Sequence, residues 1–216
     1  MPAVFLDRDG TLNMETGYLH ERADRRRLPG APQAPAVFLD RDGTLNMETG
    51  YLHERADWRW LPGAPQALAR LYDRGYRLVV VSNQSGLARG LYGKEAVDAL
   101  HRWVNEDLTG FGAVIEAFYC CPHHPEFSGE CSCRKPKPGL LLRAADELGL
   151  DCRESWMIGD KISDIQAGAA AGCRSVLVRT GYGRQAEAEA PDALPVVDDL
   201  SAAAEYIIRT DGAEAP

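Results

Sequence analysis

Residues 35–44 read PAVFLDRDGT, an apolar run that ends in two carboxylates, Asp40 and Asp42, and a turn-forming glycine, Gly43. The same text stands at residues 2–11. Pro2 to Ala34 and Pro35 to Ala67 are 33-residue copies that differ only at Arg25 against Trp58 and Arg27 against Trp60. Which copy supplies the strand decides the fold. The second copy runs on through ALARLYDRGY, with Leu68 and Leu71 on one helical face and Gly75 at its end. The β-branched segment Arg77–Val81 follows, so strand, loop, helix and strand make a βαβ unit. The first copy leads only into another strand, and using it would force about thirty residues to loop out of a compact domain. Trp58 and Trp60 suit packing, whereas Arg25 and Arg27 do not. The second copy is therefore expected to carry the chemistry, and residues 1–34 to form a duplicated, non-functional extension.

Beyond the repeat, apolar strands alternate with helical patterns. Strands are expected at Ala36–Leu39, Leu78–Ser82, Ala113–Cys120, Ser155–Gly159 and Ser175–Val178. Helices are expected at Pro65–Arg74, Lys94–Leu108, Pro138–Leu148, Ile162–Ala171 and Ser201–Arg209. The strands are almost continuously apolar, as in parallel sheets covered on both faces. The fold class is α/β, a doubly wound, Rossmann-like parallel sheet with helices on both faces. One domain spans 35–209, with no room for a large cap, and residues 210–216 read as a small, polar, frayed tail.

A net charge of −8, from 24 Lys+Arg against 32 Asp+Glu, argues against a nucleic-acid partner. No apolar run reaches membrane length, and the start lacks a secretory pattern, so a cytoplasmic, membrane-free chain is expected; a monomer is expected as well.

The chemistry-bearing residues sit at strand ends. Asp40 and Asp42 can serve one phosphorus, one attacking and the other handling the proton. Ser82, followed by Asn83, offers a hydroxyl and backbone N–H groups to phosphoryl oxygens. Lys135 supplies a cation for developing negative charge, and Arg134 beside it suits a second anion. Asp160 and Asp164 stand where a strand passes into a helix, and oxygen ligands of this kind suit Mg²⁺. Asp164 reads equally as an exposed first-turn carboxylate or as a group that orients Lys135 or the metal shell. Each motif alone is an ordinary turn or cap; all four in this order are not.

Six cysteines are present, and four of them fall within 120–133. Cys121, Cys131 and Cys133, with His123 or His124, match a closed Cys₃His zinc site in a short loop, 121–133. Such a site is structural, and here it would fix the loop that delivers Arg134 and Lys135. Cys120, Cys152 and Cys173 read as free thiols packed in the core.

From about Pro35 to about Gly181 the chain resembles the haloacid dehalogenase-like superfamily of aspartate-nucleophile phosphatases. The resemblance implies Asp40 as nucleophile, Asp42 as acid and then base, and Ser82 and Lys135 as the phosphoryl clamp. It implies Mg²⁺ on the Asp40 carboxylate, the Asp42 backbone carbonyl and Asp160, and it favours His123 as the zinc ligand. The stretches FLDRDGTLN (38–46), GYLHE (50–54), SNQSGLARG (82–90), YCCPHHP (119–125), CSCRKPKPG (131–139) and GDKISD (159–164) look closest to its zinc-bearing sugar-bisphosphate branch. That branch implies substrate contacts at Glu48, Thr49, Gly50, Tyr51, Ser82, Asn83, Gln84, Ser85, Arg134, Lys135 and Lys161. The implied reaction removes the 7-phosphate of a heptose 1,7-bisphosphate, a step in supplying cell-surface polysaccharide. The zinc-bearing histidinol-phosphate phosphatases share most of these motifs and give the alternative substrate. A noncatalytic zinc-stabilised module is the reading from another class, and intact Asp40, Asp42, Ser82, Lys135 and Asp160 speak against it.

Overall fold

The computed structural model describes residues 35–214, so the first copy of the repeat, with Asp7, Arg25 and Arg27, lies outside the described residues. Six parallel strands form one sheet in the order β3-β2-β1-β4-β5-β6. They are β1 Ala36–Leu39, β2 Arg77–Asn83, β3 Ile115–Cys121, β4 Trp156–Gly159, β5 Arg174–Val178 and β6 Val196–Val197. The helices are α1 Ala64–Asp73, α2 Ser85–Ala88, α3 Lys94–Thr109, α4 Pro125–Ser128, α5 Gly139–Leu148, α6 Ile162–Ala171, α7 Gly183–Ala186 and α8 Leu200–Glu214.

Alternation along each strand builds two cores. Val37 and Leu39 of β1 pack with Leu68 and Leu71 of α1, Leu100 and Val104 of α3, and Ala203 and Ile207 of α8. Ala36 and Phe38 face the other way, toward Leu140, Leu141 and Ala144 of α5 and Ala167 of α6. Both faces of the strand are thus dry, which is why its sequence has no polar residue.

The strand at the sheet centre comes from the second copy, between β2 and β4. Trp58 is buried and meets Trp60 edge-on with ring centroids 5.0 Å apart, and Trp60 Nε1 donates to Asp107 at 2.7 Å. An arginine at either place would set a cation against this apolar cluster in place of an aromatic whose burial contributes about 2–3 kcal/mol.

Three differences from the sequence reading have local causes. The short helices α2, α4 and α7 and the two-residue β6 carry too few residues for a periodic signal. Strand β3 runs to Cys121, so a metal-type ligand ends the strand itself. Of the tail expected over 210–216, residues 215–216 lie outside the described residues, and Thr210–Glu214 continue α8. Asp211 anchors it, accepting from Tyr76 Oη and from Trp156 Nε1 (3.2 Å) and pairing with Arg174 at 2.8 Å. Among the described residues no helix is long and apolar enough to cross a membrane.

Candidate active site

The winding of the sheet reverses between β1 and β4, and doubly wound sheets open a crevice at the carboxyl ends of such neighbours. Asp40 follows β1 and Asp160 follows β4, and Asp40 N donates to Ile158 O at 2.9 Å, locking the two strand ends together. Lys135 enters from the loop before α5. Its Nζ lies 2.8 Å from Asp40 Oδ1 and 2.7 Å from Asp164 Oδ1, and it donates to Val81 O at 2.8 Å. Burial opposes the Lys135 charge, yet the two carboxylates outweigh it and hold its pKa up.

Asp164 is fully buried, which removes the reading of an exposed first-turn carboxylate. One oxygen meets Lys135, and the other accepts the Lys161 N–H at 3.0 Å, starting α6.

Two glycines let the backbone crowd Asp160. A Cβ on Gly43 (φ 85°) or on Gly181 (φ 53°) would lie 2.1 Å from Asp160 Oδ2. Thr180 Oγ1 donates to Gly43 O at 2.6 Å, and Tyr182 N donates to Asp160 Oδ2 at 2.8 Å. This third loop escaped the sequence reading, since 180–183 holds no charged residue and only its two glycines hint at close approach.

Burial, with Asp40 nearby, pushes the Asp160 pKa up to about 7. Its buried Oδ1 has no hydrogen-bond partner among the described residues; Lys161 Nζ stands off at 3.6 Å. Asp40, Asp160 and Asp164 offer oxygens that all lie within 4.8 Å of one another. Three carboxylates thus face the two ammonium groups of Lys135 and Lys161. An orphaned oxygen and an excess of negative charge fit a hard divalent cation. Burial opposes the Lys161 charge too, but Asp40, Asp160 and Glu48 raise its pKa.

Asp42 is held from several sides. Arg41 Nε reaches both of its oxygens at 3.1 Å, and Nη2 reaches them at 3.0 and 2.9 Å. Asn46 Nδ2 donates to Oδ1 at 3.0 Å and Gln84 Nε2 to Oδ2 at 3.1 Å. The sequence reading passed over Arg41 and Asn46, because one looks like a surface cation and the other like a turn residue.

Several of the expected substrate contacts also make hydrogen bonds within the site. Asn83 Oδ1 accepts from Lys135 N, and Asn83 Nδ2 donates to Lys135 O, both at 3.1 Å, so its side chain is spent on positioning the lysine. The Gln84 side chain is likewise committed, donating to Ser82 Oγ at 2.8 Å as well as to Asp42, and accepting from Tyr92 Oη at 3.0 Å. Arg134 donates to His123 O at 3.0 Å, tying it to the cysteine loop. Glu48 bridges Gly50 N (2.9 Å) and Lys161 Nζ (3.3 Å). Thr49, Gly50 and the exposed Tyr51, at φ 43°, form the outer loop beside it, and Ser85 opens α2 next to Gln84.

Cys121, His123, Cys131 and Cys133 converge. Their sulfurs lie 3.2, 3.5 and 3.6 Å apart, and His123 Nδ1 is 3.4 Å from Cys133 Sγ and 3.8 Å from Cys121 Sγ. A tetrahedral zinc with Zn–S of about 2.3 Å requires S···S edges of about 3.8 Å, so four such donors fit that ion after a slight expansion. His124 is excluded from the cluster, because its Nδ1 accepts Glu126 N and caps α4. Cys120, Cys152 and Cys173 stand outside it, the last of them buried.

Residues 132–203 match the HAD-hydrolase-like family. The D-glycero-beta-D-manno-heptose-1,7-bisphosphate 7-phosphatase of Yersinia pestis is 47% identical over 196 residues, covering 88% of this chain and 87% of its own. The protein of the same name from Vibrio cholerae is 42% identical over 214 residues, covering 96% and 97%. Among solved structures, the D,D-heptose 1,7-bisphosphate phosphatase of B. bronchiseptica, complexed with magnesium and phosphate, superposes with a TM-score of 0.75. It is 38% identical and covers 82% of this chain and 99% of its own. With this similarity over nearly the whole chain, the protein belongs to the heptose-bisphosphate phosphatase family of the haloacid dehalogenase-like hydrolases.

Proposed function

We propose that this chain hydrolyses the 7-phosphate of D-glycero-D-manno-heptose 1,7-bisphosphate and leaves the 1-phosphate in place. The carrying observation is the Lys135 ammonium 2.8 Å from Asp40 Oδ1, a cation beside an attacking carboxylate at the sheet's switch point. A dianionic ester can approach a carboxylate only where such charge offsets the repulsion. The names of the relatives at 42–47% identity support the substrate.

In this mechanism Asp40 Oδ attacks phosphorus, and the P–O bond to the sugar breaks as Asp42 passes its proton to the leaving oxygen. Asp42 then takes a proton from water, which attacks phosphorus and breaks the bond to Asp40. Ser82 Oγ, Lys135 Nζ and Lys161 Nζ hold the phosphoryl oxygens during both steps. Asp40, Asp160 and the Asp42 carbonyl hold Mg²⁺, which when bound neutralises phosphate charge. The Cys121, His123, Cys131 and Cys133 set holds a structural zinc, which fixes the loop carrying Arg134 and Lys135. Arg134 and the Glu48–Tyr51 loop face the sugar and its second phosphate. A cytoplasmic setting suits thiols kept for a metal.

The test assays the heptose bisphosphate and histidinol phosphate side by side with Mg²⁺. A higher kcat/KM for the bisphosphate is expected, and the reverse ranking overturns the substrate assignment.

A further inference from the structure

Arg41 has no part in the chemistry above, yet it is fully buried and the bulkiest side chain so enclosed among the described residues. An enclosed guanidinium is tolerated only when its N–H groups find acceptors. Nε and Nη2 serve Asp42, and Nη2 also donates to Leu52 O at 2.7 Å. That leaves Nη1, which points at His101 Nε2, 3.4 Å away. His101 comes from the middle of α3, sixty positions along the chain, and is 5% exposed. Its ring stacks on Phe118 of β3, with centroids 4.3 Å apart at 13°, which sets the direction of Nε2. Burial, with Arg41 and Lys94, depresses its pKa to about 3, so the imidazole is neutral and offers a lone pair to the cation.

We propose that His101 is a positioning residue for Asp42, acting through Arg41. The stacked ring holds one corner of the guanidinium, the Leu52 carbonyl holds another, and the remaining edge sets the Asp42 carboxyl against the leaving oxygen. Proton transfer depends steeply on such placement, because donor and acceptor must come within hydrogen-bond reach along the breaking bond. Without an acceptor at Nε2 the fork turns to satisfy Nη1, and the Asp42 carboxyl turns with it. The inference rests on Asp42 being the acid of the proposed reaction.

The test uses leaving-group dependence. An alkyl phosphate needs a proton on its departing oxygen, while p-nitrophenyl phosphate releases p-nitrophenolate, a stable anion that needs none. kcat/KM reports the first transfer to Asp40 for both. His101→Phe keeps the stack and removes the acceptor. Its kcat/KM should fall by about tenfold or more on the alkyl ester and stay within about twofold on p-nitrophenyl phosphate. His101→Gln returns an acceptor and should restore most of the alkyl activity. Equal loss on both esters, or no loss on the alkyl ester, overturns the proposal. Should His101→Phe fail to melt cooperatively, Arg41→Lys, which keeps the cation and withdraws the fork, must show the same selective loss or the proposal fails. An Asp42→Asn variant that still turns over alkyl esters sinks the assignment of the acid, a separate result from any on His101.

Discussion

Asp164 Oδ1 sits 2.7 Å from Lys135 Nζ, with each side chain 1% exposed. In the proposed mechanism, a buried ammonium paired only with Asp40 would tie up the carboxylate assigned to attack. Asp164 supplies a second countercharge that helps keep Lys135 protonated, which under the proposed mechanism would leave Asp40 free to turn toward phosphorus. Breaking a buried pair leaves one charge uncompensated, which is costly even where the pair itself adds little stability.

Asp164→Asn tests this, since the amide oxygen still accepts the Lys161 N–H that starts α6. We expect kcat to fall by about tenfold to a hundredfold and stability by about 2–4 kcal/mol in urea unfolding. Unchanged kcat would show that the second countercharge is dispensable.

Asp40→Asn should abolish turnover, while Asp7→Asn in the first copy should leave it intact. Steady-state assays of the two variants decide between the copies, and activity lost only with Asp7 reverses the assignment.

Metal analysis of the purified protein should find about one zinc per chain, as the four-donor loop suggests. Chelation or Cys133→Ser should lower both the melting temperature and the activity, because the loop that Cys133 anchors also carries Arg134 and Lys135. A zinc-free protein with full activity and an unchanged melt would rule out this role.

The depressed His101 pKa predicts acid sensitivity. Folded His101 stays neutral down to about pH 3, whereas in the unfolded chain it protonates below about 6.5. The unfolded state therefore binds the extra proton between these values. Stability from this group is complete above pH 6.5 and drains away as pH falls toward 3. Urea unfolding at pH 7 and pH 4.5 should show wild type losing about 2–3 kcal/mol more than His101→Gln. Parallel losses in the two proteins would contradict a buried neutral imidazole.

Much of this molecule is local in origin and so was readable along the chain. A strand buried on both faces must be continuously apolar, a zinc loop must place its ligands within a few residues, and a turn after Asp40 needs Gly43. Those requirements act over short separations, and PAVFLDRDGT, CSCRKP and GDKISD satisfy them in plain text. They were sufficient for the doubly wound fold, and they pointed to Asp40, Asp160, Lys135 and the cysteines that the fold brings together.

Folding over long separations decided the rest. That Asn83 would hold the Lys135 backbone, and Gln84 would link Asp42, Ser82 and Tyr92, was not legible along the chain. Thr180–Tyr182 met Gly43 and Asp160 only through strand pairing across the sheet, and Asp211 became an anchor only against Tyr76 and Trp156. Arg41 is the sharpest case. Linear text shows only a cation between two carboxylates; the packed α3 and β3 enclose it, and an enclosed charge must be matched by groups that arrive from elsewhere in the chain.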